Sequence, residues 1–178
     1  QNLTLRVVTI KDSEYEKVLE TISGQWRQLG VEVTTQVIDS SDPAQNFIQG
    51  TLQQRQYDVL LYQLAIGADP DVFAYWHSSQ IGERGRNLSN YANGAADDAL
   101  VGARSRLEPD LRNAKYKAFA RQWIDDVPAI GLYQSTVQYA QGQGVTSVND
   151  GAVLVSSHDR YADVLYWSVN QQTVYKTP

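Results

Sequence analysis

Apolar residues alternate with polar ones at the start of the chain and then recur at helical spacing. Leu3, Leu5 and Val7 lie on one side of an alternating segment, which predicts a strand. Apolar residues then recur at steps of three and four, which predicts an amphipathic helix whose apolar face packs on a sheet. That face consists of Tyr15, Val18, Leu19, Ile22, Trp26 and Leu29.

Capping signals define the two ends of this first helix. Ser13 and Glu16 have the spacing of a capping box, and Gly30 is suited to a left-handed C-terminal cap. Valines at 31, 33 and 37 then predict a second strand. Strands joined by a helical crossover run parallel, so this segment is predicted to form a βαβ unit.

Two Asp-Pro pairs each predict the start of a helix, because Asp caps and Pro suits the first helical position. Asp42-Pro43 precedes a narrow apolar face containing Phe47, and Asp69-Pro70 precedes a short helix with Phe73 and Trp76. Between these helices lies a predicted strand over residues 57–66. It is apolar on both faces, as in a central strand covered on both sides.

The second half of the chain predicts two longer helices, at about 95–107 and 109–126, followed by a strand over 129–139. A further strand is predicted at Val153 to Val155. With strands near 3–9, 31–38, 57–66 and 129–139, the fold class is α/β, a mostly parallel twisted sheet with helices on both faces.

Charge and composition exclude some classes of function. The chain has 178 residues and a net charge of -5, and its 15 basic residues form no run, so nucleic acid is not an expected partner. No apolar stretch approaches the roughly 20 residues that span a bilayer. Because the chain contains no Met, we expect it to be a fragment or a processed product, with any signal peptide or lipid-anchor Cys upstream.

Catalytic and metal-binding motifs are lacking in the sequence. The two histidines, His77 and His158, are far apart and have no second ligand at metal spacing. Neither a Gly-x-Ser-x-Gly elbow nor a phosphate-binding glycine loop is present. The acidic pairs Asp97-Asp98 and Asp125-Asp126 fall at predicted helix ends, where solvated carboxylates are common. We therefore predict no catalytic residues, no metal and no cofactor.

An ordered series of short patterns resembles the extracellular solute-binding proteins (family 5) of peptide-type ABC importers. The series comprises Tyr57-Asp58, Asp69-Pro70 with Phe73, the segment 85–91, Asp97 with Leu100, Arg112 with Tyr116 and Ala120, and Pro128 to Tyr133. The resemblance implies a periplasmic-binding-protein-like (type II) lobe. It identifies residues 1–144 with the C-terminal lobe and residues 145–178 with a tail that returns toward a missing N-terminal lobe.

The resemblance also implies a function and a site. The full protein would capture oligopeptides or another small solute at the periplasm or cell surface, anchored as a lipoprotein, and deliver them to the permease subunits of an ABC transporter. In peptide-binding members an acidic side chain before the Asp-Pro pair binds the ligand's amine. Here Ile66, Gly67 and Ala68 occupy those positions and cannot do so, while Asp69 can cap a helix or be recruited.

Ligand-facing residues are predicted at the end of the central strand and in the loop after the short helix. They are Tyr62, Ile66, Gly67, Ala68, Asp69, Trp76, His77, Arg84, Arg86 and Asn87. Core packing is an equal alternative for Trp76. For the two arginines, a position in a solvated loop is favoured over ligand contact. For Asn87, a role in fixing the loop backbone is favoured. Two other functions remain open: a stand-alone α/β hydrolase or transferase without a recognisable motif, and a non-catalytic interaction domain.

Overall fold

The computed structural model of the chain describes residues 3–67, 69–136, 138, 140–146 and 156–170. The chain falls into two compact units. The first comprises residues 1–65 and 70–129, and the second comprises residues 66–69 and 130–178. The boundary at residue 144 that the sequence suggested for the lobe and its tail stays a prediction.

A parallel sheet forms the centre of the first unit. Its strands are β1 (Thr4–Ile10), β2 (Glu32–Ile38) and β3 (Val59–Leu60), in the order β2-β1-β3. Strand β2 pairs with β1 along its whole length, whereas β3 pairs with β1 at two positions. The predicted parallel α/β sheet is confirmed, but the strand predicted over 57–66 is much shorter, because the chain leaves the ladder after Leu61.

The first helix, α1 (Ser13–Gln28), has the predicted end and a shifted start. The Asp12 carboxylate caps it by accepting the amides of Glu14 and Tyr15. The predicted capping box at Ser13 is therefore wrong by one residue. Gly30 does adopt the left-handed conformation, with φ of 85°, and its amide donates to a carbonyl of the last helical turn.

Helical segments cover both faces of the sheet, as predicted. Adjacent residues of β1 point to opposite sides: Val7 packs with Leu19 of α1, while Val8 packs with Phe47. Phe47 begins a π-helical turn, Phe47–Leu52. The helix start predicted at Asp42-Pro43 is wrong, because the Asp42 carboxylate instead accepts the Ala44 amide in a turn.

Three further helices enclose a second core in the same unit. They are α2 (Phe73–Trp76), α3 (Gly94–Arg104) and α4 (Pro109–Asp126). Leu100, Phe119 and Trp76 are buried in this core. Helices α3 and α4 confirm the predicted pair. The start predicted for α2 at Asp69-Pro70 is wrong, since the helix begins at Phe73 and the Asp71 carboxylate accepts the Phe73 amide.

The strand predicted over 129–139 is absent from the described residues of that segment, which are 129–136 and 138. Its apolar side chains are exposed there, by 71% for Ile130 and 48% for Leu132, so the pattern does not mark a covered strand. Within the second unit, β4 (Val145–Thr146) and β5 (Ser168–Val169) form an antiparallel pair. The strand predicted at Val153 to Val155 lies outside the described residues.

Candidate functional site

An open groove of about 820 Å³ lies at the carboxyl ends of the three parallel strands. Its lining includes Ile10, the last residue of β1, Ser40 just beyond β2, and residues 62–65 beyond β3. The chain order reverses between β1 and β3, because β2 lies on the other side of β1. Open α/β sheets bind ligands outside the carboxyl ends of strands at such a reversal. This groove is therefore the candidate site.

Aromatic and aliphatic side chains form one wall of the groove. The rings of Phe47 and Tyr62 tilt against each other with centroids 6.0 Å apart. Ile48 is 62% exposed and Tyr62 is 42% exposed, so both offer apolar surface to a ligand. Tyr75 lies with them and is held in place by its hydroxyl, which donates to the Ala65 carbonyl at 3.0 Å.

Side-chain amides add hydrogen-bonding capacity to this wall. Gln45, Asn46, Gln53 and Gln63 all line the groove. The Gln63 carbonyl oxygen accepts a hydrogen bond from the Tyr15 hydroxyl at 3.1 Å, which orients that amide. Burial raises the pKa of Tyr15, so the phenol stays protonated and remains a donor.

Arg84 and Arg86 extend into the groove from a loop that follows α2. The Arg55 guanidinium supports this loop from within. Its Nη2 donates to the carbonyls of Gly82 at 3.1 Å, Gly85 at 3.4 Å and Asn87 at 3.0 Å. One side chain thus fixes the backbone on both sides of the two groove arginines.

Asn87 anchors the end of the same loop. The side chain is fully buried, its amide nitrogen donates to the Tyr91 carbonyl at 2.8 Å, and its oxygen accepts the Tyr91 amide at 3.0 Å. The Tyr57 hydroxyl donates to the carbonyl of Leu88 at 2.7 Å. Burial raises the pKa of Tyr57, which keeps this donor protonated.

The groove contains some of the residues predicted from the sequence and not others. Tyr62, Arg84 and Arg86 line it, whereas Trp76 and Asn87 are buried elsewhere in the first unit. Four more predicted positions, 66–69, belong to the second unit. Ile66, Gly67 and Asp69 are exposed, and Ala68 lies outside the described residues. Ligand contact at every one of these positions stays a prediction.

His77 occupies a packed position beside Trp76. Its ring stacks on Phe73 with centroids 4.1 Å apart, and its Nδ1 accepts the Ser79 amide at 3.0 Å. Asp97 lies 3.9 Å from that nitrogen and binds Ser78 through both carboxylate oxygens. Across the described ranges, no group of three or more His, Cys, Asp or Glu side chains is placed to hold a metal ion.

Sequence reasoning missed several groove residues. The narrow apolar face predicted after Asp42-Pro43 falls in a π-helical turn, which buries Phe47 and leaves Ile48 open to the groove. Arg55 carried no sequence signal beyond its charge. Its role arises from a left-handed backbone, with φ of 53°, which no local pattern indicated.

Solved structures share this architecture. The chain matches the oligopeptide-binding protein AppA of Bacillus subtilis, solved with a nonapeptide, with a TM-score of 0.61 and 22% identity over 71% of this chain and 24% of that one. The dipeptide-binding protein of Pseudoalteromonas sp. SM9913, solved with Met-Leu, gives a TM-score of 0.61 at 23% identity over 71% and 25%. The chain has a type II periplasmic-binding-protein-like fold.

Other proteins with this fold bind different solutes. NikZ of Campylobacter jejuni, solved with Ni(L-His), matches with a TM-score of 0.61 at 21% identity over 71% of this chain and 25% of that one. These neighbours are binding proteins. The chain spans about a quarter of their length. Within the described residues, no helix has both the length and the apolar character that a membrane span requires.

Sequence comparison gives a shorter match. Protein XP55 of Streptomyces lividans is 32% identical over 71 residues, which cover 39% of this chain and 13% of that protein. No protein-family model matches the chain. The fold assignment therefore rests on the structural likeness.

Proposed function

We propose that the chain is the ligand-binding lobe of an extracellular substrate-binding protein that captures oligopeptides, or a related small solute, for an ABC importer. The observation that carries this proposal is the groove at the carboxyl ends of β1, β2 and β3. It occupies the position where open α/β sheets bind ligands, in a fold whose solved neighbours hold peptides or a nickel–histidine complex.

The groove's lining suits a peptide. Apolar surface on Ile48 and Tyr62 can accept an apolar side chain, while nearby Gln and Asn amides can pair with peptide N–H and C=O groups. A wall with both kinds of surface binds a chain whose backbone is polar and whose side chains vary. The lining therefore favours a peptide over a purely apolar solute.

The groove is open, which supports a clamp rather than a self-sufficient pocket. We propose that a second lobe, contributed by another part of a longer protein, closes over the ligand by a hinge motion. Residues 145–178 would return toward that lobe. The closed form would then be recognised by the permease subunits at the periplasmic or cell-surface side of the membrane, with the protein held there as a lipoprotein.

Calorimetry of the full-length protein and of the isolated 178-residue chain against a mixed set of di- to nonapeptides tests the proposal. We expect the full-length protein to bind tightly and the isolated chain to bind at millimolar affinity or weaker. One face of a clamp makes part of the contacts while the loss of translational and rotational freedom is the same.

A groove variant locates the binding. Tyr62→Ala in the full-length protein should weaken peptide binding at least tenfold, because it removes exposed aromatic surface from the lining. Leu107→Ala is the matched control, since Leu107 is 92% exposed and lies outside the groove. Failure of the full-length protein to bind any peptide would refute the peptide assignment. Equal binding by the Tyr62→Ala variant and the parent would refute the groove.

A further inference from the structure

Arg84 and Arg86 are the most distinctive chemical feature of the groove. They stand at alternate positions of one loop, both side chains are exposed, and both line the groove. Within the described residues neither guanidinium takes part in an ion pair. We infer that the groove receives a carboxylate of the bound solute and that Arg84 and Arg86 bind it. This inference rests on the proposed function and names the ligand group that this lobe recognises.

The charges of the lining favour an anion. Arg55, Arg84 and Arg86 face the groove together with two acidic residues, Asp42 and Glu83. The Asp42 carboxylate is engaged locally, because it accepts the Ala44 amide at 2.9 Å and the Gln45 side-chain amide at 3.0 Å. The lining is thus net positive, in a chain whose overall charge is -5.

Guanidinium groups suit a carboxylate better than they suit a neutral acceptor. Their planar N–H donors match the two carboxylate oxygens, and charge-assisted hydrogen bonds of this kind are about twice as strong as neutral ones. Two guanidinium groups two residues apart offer more donors than one carboxylate needs. Either arginine alone should therefore retain part of the binding.

The backbone that carries the two arginines is fixed before any ligand binds. Arg55 donates to carbonyls on both sides of them, at Gly82, Gly85 and Asn87. The Asn87 amide also donates to the Gln80 carbonyl at 3.1 Å. A preordered loop lowers the entropy that binding would otherwise cost. The ligand then has to order the two side chains and not the loop.

The test compares peptides that differ by one charge, with calorimetry on the full-length protein. The first pair is a peptide with a free C-terminus and the same peptide amidated. The second pair is a C-terminally amidated peptide with an internal Glu and its isostere with Gln. We expect the neutral member of one pair to bind at least tenfold more weakly, and the identity of that pair tells whether the carboxylate is terminal or on a side chain.

Variants assign the effect to the two arginines. The double variant Arg84→Gln/Arg86→Gln should bind the charged and the neutral peptide of each pair with equal affinity. Arg84→Lys/Arg86→Lys should restore part of the discrimination, because the charge returns without the planar donor pair. Arg121→Gln is the matched control, since Arg121 is exposed on α4 and outside the groove, and it should behave as the parent.

The outcomes separate the inference from the proposed function. Equal binding of the two members in both peptide pairs by the parent protein would overturn the inference and leave peptide binding intact. Discrimination that persists in the double glutamine variant would overturn the assignment to Arg84 and Arg86. Absence of binding by every peptide would overturn the proposed function and the inference with it.

Discussion

Gly85 packs directly against the backbone of Gln80. A Cβ atom built on Gly85 would lie 1.8 Å from the Gln80 carbonyl oxygen and 2.4 Å from its carbon, far inside van der Waals contact. The loop with the two groove arginines therefore closes on itself at a point where no side chain fits. Glycine is required there by close approach of the backbone, not by a left-handed conformation.

Gly85→Ala is expected to lower the free energy of unfolding by about 1 to 3 kcal/mol, because the backbone of Gln80 must move to admit the methyl group. Gly24→Ala is the control, since no atom lies within 4 Å of a Cβ at Gly24 inside α1. That variant should be more stable than the parent by about 0.5 to 1 kcal/mol. Chemical denaturation of both measures the contrast, and a destabilised Gly24→Ala with an unaffected Gly85→Ala would contradict it.

Phe119→Ala is expected to lower the free energy of unfolding by about 3 to 5 kcal/mol, because the ring is only 7% exposed in the core between the helices. Trp26→Ala should lower the free energy of unfolding by less than Phe119→Ala does, since Trp26 is only half-buried beside the sheet. Ile124→Ala, 65% exposed on the same helix as Phe119, should lie within about 0.5 kcal/mol of the parent. Denaturation midpoints test the order, and a Phe119 variant as stable as the Ile124 variant would refute it.

Arg55→Gln is expected to loosen the groove loop, because glutamine is shorter than arginine and loses the charge that strengthens the hydrogen bonds to the loop carbonyls. The measurement is amide hydrogen exchange at Asn87, whose N–H donates to Gln80. Exchange there should accelerate at least tenfold, while the amides of Thr34 and Gln36, which face β1 in the parallel ladder, stay protected. Arg121→Gln should change neither. Unchanged protection at Asn87 would mean that its buried side chain and Gly85 hold the loop without Arg55.

Asp39 links folding to pH just beyond the end of β2. A hydrogen bond from Lys11 at 2.7 Å and two from Ser41 lower the pKa of this carboxyl to about 2 from an ordinary 3.8. A lowered carboxyl pKa contributes stability that is present above the unfolded-state value and is lost as the pH falls. The advantage of the parent over Asp39→Asn should thus be constant above about pH 5 and decline from about pH 4 to pH 2.

Lys11→Gln provides the control for the Asp39 titration. It removes the first cause of the shift and leaves the Ser41 hydrogen bonds, so the Asp39 pKa should move part of the way back toward 3.8. Carboxyl NMR titration measures both proteins. A parent Asp39 that titrates near its ordinary pKa would show that the Lys11 contact does not persist in solution.

Acetylation of a peptide's N-terminus is expected to cost the full-length protein little affinity, because Ile66 and Gly67 bring no carboxylate to bind the amine. Calorimetry against matched free and acetylated peptides measures the effect. A loss of a hundredfold or more would mean that a carboxylate elsewhere, with Asp69 the first candidate, binds the amine. Asp69→Asn in the same assay would then identify it.

The parallel sheet could be predicted because its signals are local and repeat at a fixed period. The α1 stripe at Leu19 and Trp26, the cap at Gly30 and the two helices α3 and α4 all follow from spacing, whereas Leu29, predicted in the same stripe, is 80% exposed because it lies beyond the helix end. Strand length could not be predicted in the same way. The segment after Leu61 is apolar enough for a strand, yet a ladder also needs a partner, and β1 ends at Ile10.

The candidate site was predictable in part for a related reason. Tyr62 was predictable from its position after a strand, and Arg84 and Arg86 from the composition of their loop. All three line the groove. Trp76 and Asn87 have the same kind of sequence context but are buried, because Trp76 packs with side chains of α3 and α4 and the Asn87 side chain hydrogen-bonds to the Tyr91 backbone. Which side of a short helix is covered depends on residues distant in sequence, and a local pattern does not encode that.

One hydroxyl in the middle strand sets the course of the groove wall. Thr9 is fully buried in β1, and its Oγ1 donates to the Leu61 carbonyl at 2.9 Å, just past the two paired positions of β3. The direction in which the chain departs toward Tyr62 is thereby controlled from the neighbouring strand. Replacing Thr9 by the isosteric valine would remove this hydrogen bond and so redirect the groove wall without altering any residue that lines the groove.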